Sequence, residues 1–63
     1  MQGAISGTDL KLARISRGVR QSAVAKHFGA RQERISQIEA AARPTKRAID
    51  RYWDALNKAS AEA

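Results

Sequence analysis

Sixty-three residues hold one small domain, and such a chain buries only about 60% of its unfolded surface, which leaves a thin core. The absence of cysteine removes disulfides and thiolate metal sites as reinforcement, and it suits a reducing cytoplasm. Twelve Lys plus Arg against six Asp plus Glu give a net charge of +6, which points to a polyanionic partner, most commonly nucleic acid.

Eleven of the twelve cations fall between Lys11 and Arg51. A plain solubilising surface is the minor alternative. A basic amphipathic helix on anionic lipid fits poorly, because the chain divides into several short helices. No apolar run approaches the roughly 20 residues of a membrane span, and no signal-peptide core is present.

In chain order, Met1–Ala4 reads as a frayed tail. Ser6 with Asp9 three residues on forms a capping box, and Ile5 and Leu10 occupy hydrophobic-staple positions. The first helix is expected to run to about Arg17, burying Leu10, Ala13 and the aliphatic stem of Arg17, with Gly18 ending it. Leu12 and Ile15 lie off that face and are expected to meet the C-terminal helix.

Val19 and Val24 are again at staple positions, around a helix start at Arg20-Gln21. The second helix shows Val24, Ala25 and Phe28 on one face, and Gly29 follows where a residue with positive φ is favoured. A third helix carries Ile35 and Ile38 on its buried face, with Glu33, Ser36 and Gln37 opposite and Gln32 on the flank. Amide, hydroxyl and carboxylate tips suit base edges, since Gln pairs bidentately with adenine and Glu accepts from cytosine. An ordinary solvated face is the bland alternative. Helix, glycine turn and polar-faced helix together form the unit that presents a recognition helix to DNA.

Both central helices are capped by arginine, Arg20 and Arg31, which offer no oxygen to the free N–H groups. Phosphates approaching those N-termini would satisfy the N–H groups and pair the arginines. Capping by water is the alternative, at roughly 0.5–2 kcal/mol each.

Ala40-Ala41-Ala42 is able to extend the third helix by a turn, before Pro44 breaks it. Thr45 is the natural N-cap of a fourth helix whose stripe is Ala48, Ile49, Tyr52, Trp53 and Leu56. Fraying is expected over Lys58–Ala63. His27 stands without a partner for metal binding, and Ser22 and Ser36 lack an activating base. The carboxylates are scattered, with Asp50 and Asp54 expected to pair with Arg47, Arg51 or Lys58. No enzyme, cofactor, metal site or small-molecule ligand is expected.

The segment from Leu10 to Leu56 resembles the phage repressor/Cro-type (XRE-like) helix-turn-helix family. The carriers are Leu10 and Arg14, then Gly18-Val19-x-Gln21, Val24-Ala25, Phe28-Gly29, Ile35-x-x-Ile38-Glu39, and Ala55-Leu56. The resemblance implies that Gln21 contacts a phosphate and braces the first residue of the recognition helix. It implies that Gln32, Glu33 and Gln37 read bases, with Ser36 also facing the groove. Arg43, Lys46 and Arg47 fall where the family grips the sugar-phosphate backbone; Arg20, Arg31 and Arg34 are further phosphate candidates. Arg14 and Glu39 match a buried ion pair of some members, a structural role.

The chain departs from the family in its arginine caps and in the alanines after Glu39. The family's fifth helix, which often carries the dimer contact, is missing or reduced to Asn57–Ala63. Tyr52 and Trp53 either fill the core in its place or form an exposed dimer patch. The resulting expectation is one domain over residues 1–63, with its core at 6–58. It is all-α, a compact four-helix lambda-repressor-like helix-turn-helix domain with at most a vestigial fifth helix. Its partner is double-stranded DNA, bound sequence-specifically by a homodimeric, Cro-like transcriptional repressor at a near-palindromic operator. The setting implied is the nucleoid of a bacterial or phage-infected cell's cytoplasm. The competing readings are an antitoxin-like or adaptor module whose main partner is another protein, and a non-specific architectural binder. Glu33 speaks against the last, because a carboxylate among phosphates needs a base donor.

Overall fold

Three breaks separate four α-helices in the computed structural model, which describes residues 5–62. They are α1 (Gly7–Ser16), α2 (Gln21–Phe28), α3 (Gln32–Ala40) and α4 (Lys46–Glu62), with no strand among the described residues. The expected frayed tail at Met1–Ala4 lies outside those residues, as does Ala63.

Each boundary has a local cause. Ser6 Oγ accepts from Asp9 N at 3.2 Å and Asp9 Oδ2 accepts from Ser6 N at 2.9 Å, closing the capping box. α1 ends in a Schellman turn: Gly18 N donates to Ile15 O and Val19 N to Arg14 O, with Gly18 at φ +68°. Gly29, at φ +81°, ends α2, and its N–H and that of Ala30 both return to Ala25 O. Thr45 Oγ1 accepts from Ala48 N at 3.1 Å and starts α4. Arg20 and Arg31 precede their helices without any side-chain cap bond.

The core is one cluster drawn from all four helices: Leu10, Val24, Phe28, Ile35, Ile38, Tyr52, Ala55 and Leu56 are buried, with Val19 from the α1–α2 turn. α4 packs chiefly on α2, while α3 lies against α2 and α1. That leaves the face of α3 opposite Ile35 and Ile38 uncovered.

Four expectations need correction. α1 ends at Ser16 with Arg17 as its C-cap, close to the expected end, but the Arg17 stem is not buried: the residue is exposed, its guanidinium 5.7 Å from the centre of the Trp53 ring and donating to Asn57 Oδ1 at 2.6 Å. Leu12 and Ile15 do not meet α4: they are 58% and 53% exposed, on the side of α1 away from the core. α3 is not extended through Ala42, because Ala41 is extended (ψ 134°) and its carbonyl accepts Gly7 N–H at 2.9 Å. α4 does not fray at Lys58 but continues to Glu62, with Ala59 buried, so no separate fifth helix exists among the described residues.

Gly7 locks α1 onto α3. A β-carbon there would sit 2.5 Å from Glu39 O and closer still to Ile38 O, both backbone atoms. Only glycine allows so close an approach.

Candidate nucleic-acid interface

α3 carries the candidate site because its two faces differ so sharply. Ile35 and Ile38 are 0% and 3% exposed, whereas Gln32, Glu33, Ser36 and Gln37 are all exposed. The isoleucines therefore fix the rotation of the helix, and the four polar side chains form its outward ridge. Gln21, Gln32, Glu33 and Ser36 line one concavity beside that ridge. Arg34, Gln37, Arg43 and Thr45 help line a second one on its other side. Gln37 is thus grouped with cations, while Gln32 and Glu33 are grouped with Gln21.

The cations sort into two groups. Arg14, Arg17, Arg51 and Lys58 are engaged within the protein. Arg51 donates to Phe28 O at 2.9 Å and lies 4.4 Å from the centre of the Phe28 ring; Lys58 pairs with Asp54 at 3.1 Å. Of the pairings expected for Asp50 and Asp54, only Asp54–Lys58 forms among the described residues. Arg20, Arg31, Arg34, Arg43, Lys46 and Arg47, the six expected phosphate cations, are exposed and make no internal ion pair or side-chain hydrogen bond among those residues; Lys11 and Lys26 are similar. Among the described residues, none of those six is spent on the fold. Arg20 and Arg31 also stand at the uncapped N-termini of α2 and α3, where free N–H groups favour an anion.

Beneath the ridge lies a buried polar network. Arg14 Nε donates to Glu39 Oε2 at 2.7 Å and Arg14 Nη2 to Glu39 Oε1 at 3.2 Å, a two-point pairing. Arg14 Nη1 also donates to Val19 O at 2.9 Å, which holds the guanidinium. The Tyr52 hydroxyl donates to Glu39 Oε2 at 2.5 Å, with Leu10 O a more distant acceptor at 3.3 Å. Gln21 Nε2 donates to Glu39 Oε1 at 2.9 Å, and Gln32 Nε2 donates to Gln21 Oε1 at 3.2 Å. All four helices meet at this carboxylate, and its hydrogen bonds run out to the first residue of the ridge.

The electrostatics follow from those contacts. Burial alone would raise the Glu39 carboxyl, but hydrogen bonds from Arg14, Tyr52 and Gln21 outweigh it and hold the group below the ordinary value of 4.5. The hydrogen bond to Glu39 raises Arg14. Burial, reinforced by the neighbouring Glu39, raises the Tyr52 hydroxyl above its ordinary value of 10.0.

The structure places Arg14 and Glu39 together as expected. Tyr52 is fully buried and belongs to the core, so it is no exposed dimer contact. Trp53 is half-buried against the core with Arg17 over its ring. Sequence reasoning missed Tyr52 as the third partner of Glu39. The available signal was a tyrosine within a buried stripe, whose hydroxyl must find an acceptor. His27 is half-buried on α2, with Nε2 2.9 Å from a single carboxylate, Glu62 Oε1, at the end of α4.

No group of three or more His, Cys, Asp or Glu gathers closely enough to hold a metal among the described residues, and none of their helices is long and apolar enough to cross a membrane. No family model, no curated protein and no solved structure matches this chain.

Proposed function

We propose that α2 and α3 form a helix-turn-helix of the phage repressor/Cro type, lambda-repressor-like in fold, and that the chain is a sequence-specific transcriptional regulator binding duplex DNA. α3 lies in the major groove, where Gln32, Glu33, Ser36 and Gln37 meet base edges. Arg20, Gln21, Arg31, Arg34, Arg43, Lys46 and Arg47 take phosphates on either side. Repression follows from occupying a promoter, and two copies sit on a near-palindromic operator with half-sites about one helical turn apart.

One observation carries this reading: the polar ridge of α3 is exposed while Ile35 and Ile38 pin its other face in the core. The six uncommitted cations and the two uncapped helix starts support it. So does the likeness of Leu10–Leu56 to the family pattern.

Selection of bound sites from a randomised duplex pool tests it. A two-fold symmetric motif is the expected result, and an unenriched pool refutes it.

A second reading is a helix-turn-helix adaptor whose main partner is another protein. The exposure of Leu12 and Ile15 on α1 favours it, since apolar side chains seek cover. It predicts little sequence preference for the lone chain in the same selection.

A further inference from the structure

We infer that the buried Glu39 carboxylate sets the direction of hydrogen bonding along Gln21 and Gln32, so that Arg14, Glu39 and Tyr52 are positioning residues for base selection by Gln32. The inference rests on the proposed placement of Gln32 at a base edge and adds how its amide is oriented.

The chemistry is directional. An ionised carboxylate only accepts hydrogen bonds, whereas a glutamine amide has one accepting and one donating end. Gln21 therefore meets Glu39 only through Nε2, as observed at 2.9 Å. Its carbonyl end is turned towards Gln32, whose own Nε2 donates to it at 3.2 Å. Gln32 is left with its carbonyl oxygen and one N–H, and the side chain is exposed. That acceptor–donor couple matches the N6 donor and N7 acceptor of adenine in the major groove.

The opposite direction would select differently. If Gln21 accepted at position 39, its amide N–H groups would face Gln32, and Gln32 would answer with its carbonyl. Only N–H donors would then point outward, matching the two acceptors of guanine. A charged carboxylate forbids this arrangement; a neutral amide at position 39 permits it.

Two residues that reach no base keep the carboxylate in place. Arg14 binds both oxygens from α1, and its remaining Nη1 is fixed on Val19 O. Tyr52 holds Oε2 from α4 at 2.5 Å, leaving Oε1 turned to Gln21. Glu39 is shut off from solvent, with its side chain only 3% exposed, so water does not compete for these bonds.

The test compares whole-chain proteins in the randomised-duplex selection: wild type, Tyr52→Phe, and Arg14→Gln combined with Glu39→Gln. The double change removes both charges together and strands neither. Wild type is expected to require adenine at one position of its motif. The double variant should lose about tenfold of that preference and admit guanine there, with the rest of the motif kept. Tyr52→Phe, which keeps the ring and the fold, should lose a smaller part, roughly threefold.

Side-chain amide exchange in the DNA-free protein is the second readout: the Gln21 Nε2 protons should exchange slowly in wild type and quickly in the double variant. A wild-type motif that both variants reproduce unchanged overturns this inference alone, as does a fast-exchanging Gln21 amide in wild type. A wild-type selection with no base preference overturns it together with the DNA-reading proposal.

Discussion

Arg14 and Glu39 join α1 to α3 inside the protein, with Nε 2.7 Å from Oε2 and a second bond at 3.2 Å. Twenty-five residues separate them in sequence, so the pair fixes α1 against the end of α3. Replacing Arg14 alone by Met leaves the Glu39 charge buried and should destabilise the protein by about 3–5 kcal/mol. Adding Glu39→Leu removes the stranded charge, and much of that loss should return. Urea unfolding of the single and double variants measures both effects.

The same carboxylate makes stability pH-dependent. Its folded value lies below the ordinary 4.5, so its contribution is fully present above about pH 4.5. It is lost as pH falls through the lower folded value. Unfolding free energy should therefore drop on the acid side, and the drop should be shallower in Arg14→Gln/Glu39→Gln. Glu62, also held below its ordinary value by His27, is exposed, and Glu62→Gln should leave the acid limb nearly as steep.

Gly7→Ala should destabilise the fold by about 1–3 kcal/mol, because the new methyl meets backbone oxygens that cannot rotate away. Thermal melts of the two proteins decide this. Gly18→Ala, where nothing lies within 4 Å but φ is +68°, is strained by backbone conformation instead.

Arg20 and Arg31 give a prediction of opposite signs. Exchanging Arg31 for Ser supplies the missing cap oxygen and should stabilise the free protein by about 0.5–2 kcal/mol. Under the proposed function the same change removes a phosphate contact, so affinity for DNA should fall at every sequence alike. A variant that gains stability and loses no affinity would show that Arg31 serves no phosphate.

Much of this architecture is written in small sequence signals. Ser6 with Asp9, Gly18, Gly29 and Thr45 each mark a helix end by a local hydrogen bond or a positive φ, and local causes are legible without a partner. The extension of α4 to Glu62 is not local. It depends on Ala59 being buried, and alanine carries too little apolar contrast to mark a face. Leu12 and Ile15 illustrate the reverse case: two large apolar residues suggest a buried contact, yet α1 packs through Leu10, Arg14 and Gly7. The ridge of α3 was legible from helical spacing alone, because two isoleucines fix its rotation. The bond from Tyr52 to Glu39 spans thirteen residues and joins two helices, so no local pattern marks it.

Salt dependence separates phosphate contacts from base contacts. If each subunit neutralises roughly four phosphates, log affinity against log salt should slope about −3 to −4 per subunit. Lys46→Ala should reduce that slope by about one and weaken all sequences alike. Gln37→Ala should leave the slope unchanged and relax one base position by about 1–3 kcal/mol.

The outward face of α3 is tested most directly by replacing Gln32, Glu33 and Gln37 together with alanine and repeating the randomised-duplex selection. All three are exposed, so the fold should survive, and circular dichroism checks that it does. The expected result is a protein that still binds DNA with a salt slope near the wild-type value but has lost the wild-type motif. A triple variant that selects the same motif as wild type would contradict the account.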